Sequence, residues 1–153
     1  MHPPRLQEII QHFESLTEAE RRDGLIALAD AAEQHSPRPG ELFEFEDVRK
    51  DNECSDTVGI HLRLEGGRVR LAVSLGCQVQ TLTRALAVIL CRGLADARLD
   101  DIIALTPGFV EQIVGQKLVQ LRARTIYYVL HRVQEAAARL KSSDQTPFSS
   151  QPC

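Results

Sequence analysis

Val58, Ile60, Leu62 and Leu64 alternate with Gly59, His61, Arg63 and Glu65, and after Gly66-Gly67 the residues Val69, Leu71 and Val73 alternate again, with Arg68 and Arg70 on the other parity. A period of two puts one set of side chains on one face of a strand. The two glycines supply the positive φ values of a tight turn between two such strands. The segment therefore reads as a β-hairpin with one apolar face. A two-stranded hairpin is marginal in water by itself, so other elements must cover that face. This requirement constrains the rest of the chain more than any other feature.

The remaining segments supply the cover. Leu6, Ile9, Ile10 and Phe13 recur at helical spacing, which predicts a helix over Leu6 to Ser15. Thr17 with Glu20 three residues on forms a capping box ahead of a second helix carrying Leu25, Ile26, Leu28, Ala29 and Ala32. That helix stops before Ser36-Pro37-Arg38-Pro39-Gly40, where the prolines remove backbone donors. Phe43, Phe45 and Val48 suggest a short strand. A helix is expected from Val79 to Leu94, a shorter one from Leu99 to Leu105, and a third starting at Thr106-Pro107 and ending at Gly115. Ile126, Val129, Leu130, Val133, Ala137 and Leu140 stripe a long last helix. The fold class is therefore α+β: a small antiparallel sheet of about three strands packed against helices in a two-layer sandwich. We expect one domain over residues 1–141 and a flexible, polar C-terminal tail over residues 142–153.

Composition narrows the function classes. A formal net charge of -3 argues against a nucleic-acid partner, which needs a dense positive surface. No apolar run is long enough to span a membrane, and Met1-His2-Pro3-Pro4-Arg5 has no apolar signal core. A cytoplasmic protein is expected. The four cysteines, Cys54, Cys77, Cys91 and Cys153, show no close pairing and are too few for a disulfide scaffold, so they are expected as reduced thiols.

Five histidines, scattered along the chain with no Cys-x-x-Cys, make a poor zinc set. No phosphate loop and no nucleophile elbow occur. Arg122-Ala123-Arg124 reads as a solvated helix face. Cys54 stands apart. It lies in the polar stretch Asp51-Asn52-Glu53-Cys54-Ser55-Asp56-Thr57, directly before the hairpin, where a partner can reach it and where a thiol should add little to packing. Its acidic neighbours Asp51, Glu53 and Asp56 disfavour a self-activated thiolate. They leave room for a thiol that is activated inside a complex. The residues thus lean towards a sulfur carrier over a hydrolase.

From Leu6 to Leu140 the chain resembles the SufE family of sulfur acceptors, which stimulate cysteine desulfurases in iron–sulfur cluster assembly. The likeness is carried by Leu6-Gln-Glu-Ile-Ile-x-x-Phe13, by Glu53-Cys54-Ser55-x-x-Val58 before a hairpin, by Leu82-x-Arg84-Ala85-Leu86-Ala87, and by Leu118-x-x-x-Arg122. The pattern departs from the family at Ser55-Asp56-Thr57, at Gly76-Cys77-Gln78-Val79, at Ala85 and at Val119-Gln120-Leu121. The resemblance implies that Cys54 accepts persulfide sulfur from a pyridoxal-phosphate cysteine desulfurase and passes it to a cluster scaffold. It also implies that Arg122 lies near the Cys54 loop and, with Asp56, supports that loop or binds the partner. The protein would hold no cofactor and would be a carrier and activator, not an enzyme in its own right. Two other readings stay open. Cys54, Asp56 and Cys77 match positions of IscU-type scaffolds, whose fold the family shares, and could hold metal or a cluster. The chain could also be a non-catalytic interaction module.

Overall fold

Three strands form one antiparallel sheet in the order β1 (Phe45–Arg49), β2 (Val58–Glu65) and β3 (Arg68–Leu75). The computed structural model describes residues 2–145, with side chains described as far as Ser143. The hairpin register sets Ile60 opposite Val73, Leu62 opposite Leu71 and Leu64 opposite Val69. Gly66 and Gly67 turn it with φ of 61° and 80°. Val58, Ile60, Leu62, Val69, Leu71 and Val73 are all buried, so the alternating set forms the inner face as its period requires.

Among the described residues six α-helices accompany the sheet: α1 (Pro4–Glu14), α2 (Glu18–Asp30), α3 (Thr81–Gly93), α4 (Leu99–Ile103), α5 (Gly108–Val114) and α6 (Gln116–Gln145), with a 3-10 turn at Ala32–His35. The chain is an α+β two-layer fold. The core unites the inner sheet face with Leu6, Ile10 and Phe13 of α1, Leu86, Ile89 and Leu90 of α3, Phe109 and Ile113 of α5, and Ile126, Val129 and Val133 of α6. α3 packs on β3, while α6 packs on β1 and β2.

Helix boundaries follow local chemistry. α1 begins at Pro4, two residues before its first core side chain, because proline at the first turn lacks only a donor that no helix would use. The Thr17 capping box forms in both directions, with Glu20 N–H donating to Thr17 Oγ1 at 3.1 Å and Thr17 N–H to Glu20 Oε1 at 2.9 Å. Gly115, at φ 93°, separates α5 from α6.

Several expectations shift. Phe43 lies outside β1, and Val48 is 55% exposed, because only the opposite parity of β1 faces α6. Ile26 is exposed on α2. Pro107 caps α5 from outside the helix. Finally, α6 starts at Gln116 and bends at Arg122, whose φ and ψ of -135° and 33° leave the helical region. The expected tail from residue 142 begins inside α6, and residues 146–153 lie outside the described residues.

Candidate functional site

The connection between β1 and β2 is short and irregular, and it carries Cys54. Its Cys54 N–H turns back onto the Asp51 carbonyl at 3.1 Å. Beyond Cys54, Ser55 Oγ donates to the Gln78 carbonyl at 2.6 Å. The Asp56 carboxylate accepts from Thr57 N–H at 2.7 Å and from Gln78 N–H at 2.9 Å. These two backbone bonds hold the Asp56 carboxyl below the usual carboxylate range. The Gln78 bond, with that from Ser55, also ties the Cys54 loop to the loop of residues 76–80, which leads from β3 into α3. Arg84 secures that second loop from α3, donating from Nη2 to the Gly76 carbonyl at 2.7 Å and from Nε to the Val79 carbonyl at 3.0 Å. Sequence and fold therefore bring Cys54, Asp56 and Cys77 onto two loops that touch.

The other end of the Cys54 loop is held from α6. Tyr128 Oη donates to Asp51 Oδ2 at 2.8 Å and accepts from Arg132 Nη1 at 2.5 Å. Arg132 Nη2 donates to the carbonyls of Asp47 at 2.7 Å and Val58 at 2.9 Å. Arg132 is only 3% exposed, a buried charge answered by Asp47 at 3.4 Å and Asp51 at 3.6 Å. Arg49 adds a second cation, with Nε 3.1 Å from Asp51 and Nη1 3.1 Å from Asp47. The Tyr128 hydrogen bond, with Arg49 and Arg132 beside it, keeps the Asp51 carboxyl low despite partial burial. Sequence reading named neither Tyr128 nor Arg132 as part of the site. The available signal was an arginine three residues beyond Val129 in the buried stripe of α6.

Cys54 itself is 8% exposed and belongs to the apolar core. This corrects the expectation that the loop thiol contributes little packing: the polar neighbours lie outside and the sulfur lies beneath them. Cys77 is exposed, with Gln78 Nε2 4.0 Å from its sulfur. Cys91 is a buried cysteine of α3, and burial pushes its thiol up to about 12, which leaves it inert. Among the described residues no group of three His, Cys, Asp or Glu side chains is placed to hold a metal ion. The ligand set Cys54, Asp56 and Cys77 is thus not assembled. One thiol points into the core, the other into solvent, and the carboxylate is engaged by two backbone amides.

Arg122 is exposed at the bend of α6 and does not neutralise the acids of the Cys54 loop; Arg49 and Arg132 bind Asp51 instead. A cleft of about 850 Å³ opens between that loop and α6, lined by Asp51, Glu53, Arg124, Tyr127, His131 and Glu135 among others. On the outer sheet face, Ser74, His61 and Glu46 bond in series at 2.9 and 2.7 Å. Ser74 sits opposite Gly59 within the strand ladder, so this chain braces β1, β2 and β3 and has no nucleophile elbow.

A family model described as "SufE: Fe-S metabolism associated domain" matches residues 7–137. No curated protein matches the chain. A solution structure of a hypothetical protein from Thermus thermophilus is similar at 24% identity and a TM-score of 0.73, covering 93% of this chain and 99% of its own. A crystal structure of the N-terminal part of a nitrogen-fixing NifU-like protein from Brucella abortus is similar at 14% identity and a TM-score of 0.58, covering 78% of this chain and 92% of its own. At these identities both likenesses speak to the fold. No helix among the described residues is long and apolar enough to cross a membrane.

Proposed function

The chain belongs to the SufE family, whose domain is associated with Fe-S metabolism, and from that premise we propose that Cys54 accepts sulfur from a cysteine desulfurase and so stimulates that enzyme. The observation that carries the reading is the setting of Cys54. Its sulfur is buried, yet it sits on a short loop held by side-chain bonds and not inside a strand or helix. A thiol kept for packing alone needs no such loop. A thiol that must be withheld from solvent and then presented does.

The step is a thiol exchange. A desulfurase cysteine carries a persulfide, R–S–SH. The Cys54 thiolate attacks the outer sulfur, the S–S bond joining that sulfur to the desulfurase cysteine breaks, and the desulfurase leaves as a thiolate ready for another turnover. Cys54 then carries –S–SH. No net oxidation occurs, since one sulfur–sulfur bond forms as another breaks. The resting thiol is covered, so the loop must open before attack. This chain contributes the acceptor sulfur and the loop that presents it, while Arg122, exposed at the α6 bend, is assigned to the partner contact. A compartment that keeps thiols reduced, such as the cytosol, suits the chemistry.

The test mixes the purified protein with a desulfurase and cysteine and reads the intact mass. One added sulfur on wild type, absent from Cys54→Ser, supports the reading. A Cys54→Ser variant that still takes up sulfur and still stimulates the desulfurase would overturn it.

A further inference from the structure

We infer that Tyr128 and Arg132 are positioning residues that latch the Cys54 loop shut, and that the loop opens from its Asp51 end while Ser55 and Asp56 serve as the pivot. Its bearing on sulfur transfer rests on the reading of Cys54 given above. The latch itself is a property of the free protein.

The loop has two unlike ends. At the Ser55–Asp56 end the bonds across to Gln78 use its backbone N–H and carbonyl, and Arg84 staples the backbone on either side of Gln78. That end is part of the framework. At the Asp51 end, the contact with α6 is made wholly between side chains, Tyr128 Oη to Asp51 at 2.8 Å with Arg132 behind it. Side-chain bonds can be exchanged for water without refolding backbone.

Charge accounting points to the same end. Releasing one member of a buried ion pair is costly when it strands the other. Here it does not. Arg132 faces two acids, so departure of Asp51 leaves it Asp47 and the Asp47 and Val58 carbonyls. Arg49 likewise keeps Asp47 and Glu135. Asp51 has a side chain already 27% exposed, so it moves only a short way into water. Because Cys54 N–H is bonded to the Asp51 carbonyl, the two residues travel together. The Tyr128 hydroxyl stays protonated, since burial and the Asp51 bond push it up to about 12, so it remains a donor at any working pH.

The test measures native-state alkylation of Cys54 by iodoacetamide, in the full chain with Cys77→Ser and Cys153→Ser so that Cys54 and Cys91 are the thiols left. Tyr128→Phe keeps the ring and removes the bridging hydroxyl. It should raise the Cys54 rate about tenfold, as loss of one hydrogen bond to a charged group allows. Asp51→Asn should raise it in the same direction. Cys91, in the core, should be unchanged, and the Gln78 amide should keep its exchange protection. An unchanged Cys54 rate would end the proposal. So would Cys54 and Cys91 rising together, which is general loosening, or loss of protection at Gln78, which is opening from the other side. No desulfurase is present, so failure of Cys54 to accept sulfur in the separate assay leaves this outcome readable.

Discussion

The carboxylate of Asp56 lies against the backbone of Gly76, so close that a Cβ built on Gly76 would stand 2.3 Å from it. No side chain fits between them. Gly76 is thus the gap through which Asp56 reaches the Gln78 amide. Gly76→Ala should push the carboxylate aside, break the bond to Gln78, and lower the urea midpoint. Most of that loss should vanish in an Asp56→Ala background, where no carboxylate remains to be displaced. Additive effects of the two substitutions would show that Gly76 serves something other than Asp56.

Cys54 and Cys77 should behave differently on substitution. Cys54→Ser should abolish sulfur acceptance and also cost about 1–3 kcal/mol, because it buries a hydroxyl in the apolar core. Cys54→Ala should abolish acceptance at a smaller cost in stability. Cys77→Ser, at an exposed site, should leave both properties unchanged. Equilibrium unfolding and intact mass after desulfurase treatment check all three. Loss of acceptance in Cys77→Ser would place the second thiol in the transfer path.

Acid should unlatch the loop. The Tyr128 hydrogen bond and the neighbouring arginines hold Asp51 below its unfolded value. A carboxyl depressed in the folded state contributes stability that is complete above the unfolded pKa, about 3.9, and is lost as pH falls through the folded one. Cys54 alkylation, corrected for the fraction of thiolate, should therefore accelerate below pH about 4, before global unfolding. Asp51→Asn should remove that acceleration. A variant that keeps it would assign the acid response to another group.

Much of this fold is written in local patterns. The hairpin announces itself because an alternating apolar set around Gly66-Gly67 has one physical solution, and the Thr17 box because the cap needs Glu20 and nothing distant. The bend at Arg122 carries no such mark: Leu121-Arg122-Ala123 contains neither glycine nor proline. The site was legible in part. A cysteine in a polar loop beside a hairpin drew attention to Cys54, but its burial could not be read, since the loop's polar residues turn outward over it. The Asp51–Tyr128–Arg132 network joins residues 77 positions apart in the case of Tyr128 and Asp51, and only the tertiary fold brings them into contact. An arginine within an apolar helical stripe reads as a surface residue until an acid is found opposite it.

Arg122 gives the sharpest division between what the free protein does and what a complex would do. It is exposed, stands at the bend of α6, and two of the three acids of the Cys54 loop are bound by other groups: Asp51 by Arg49 and Arg132, Asp56 by backbone amides. Surface substitutions of this kind usually change stability by no more than about 0.5 kcal/mol. Arg122→Ala should therefore unfold like wild type, and its Cys54 should alkylate at the wild-type rate across the pH range. If Arg122 contacts the partner, sulfur transfer should nevertheless fall, and the loss should appear as a raised half-saturating concentration of this protein in a desulfurase assay. Arg122→Lys should recover part of the affinity, because it keeps the charge but loses the planar fork of donors. A changed alkylation profile in the free protein would show that Arg122 acts on the thiol directly. Unchanged transfer would return it to the solvated helix face that its exposure alone suggests.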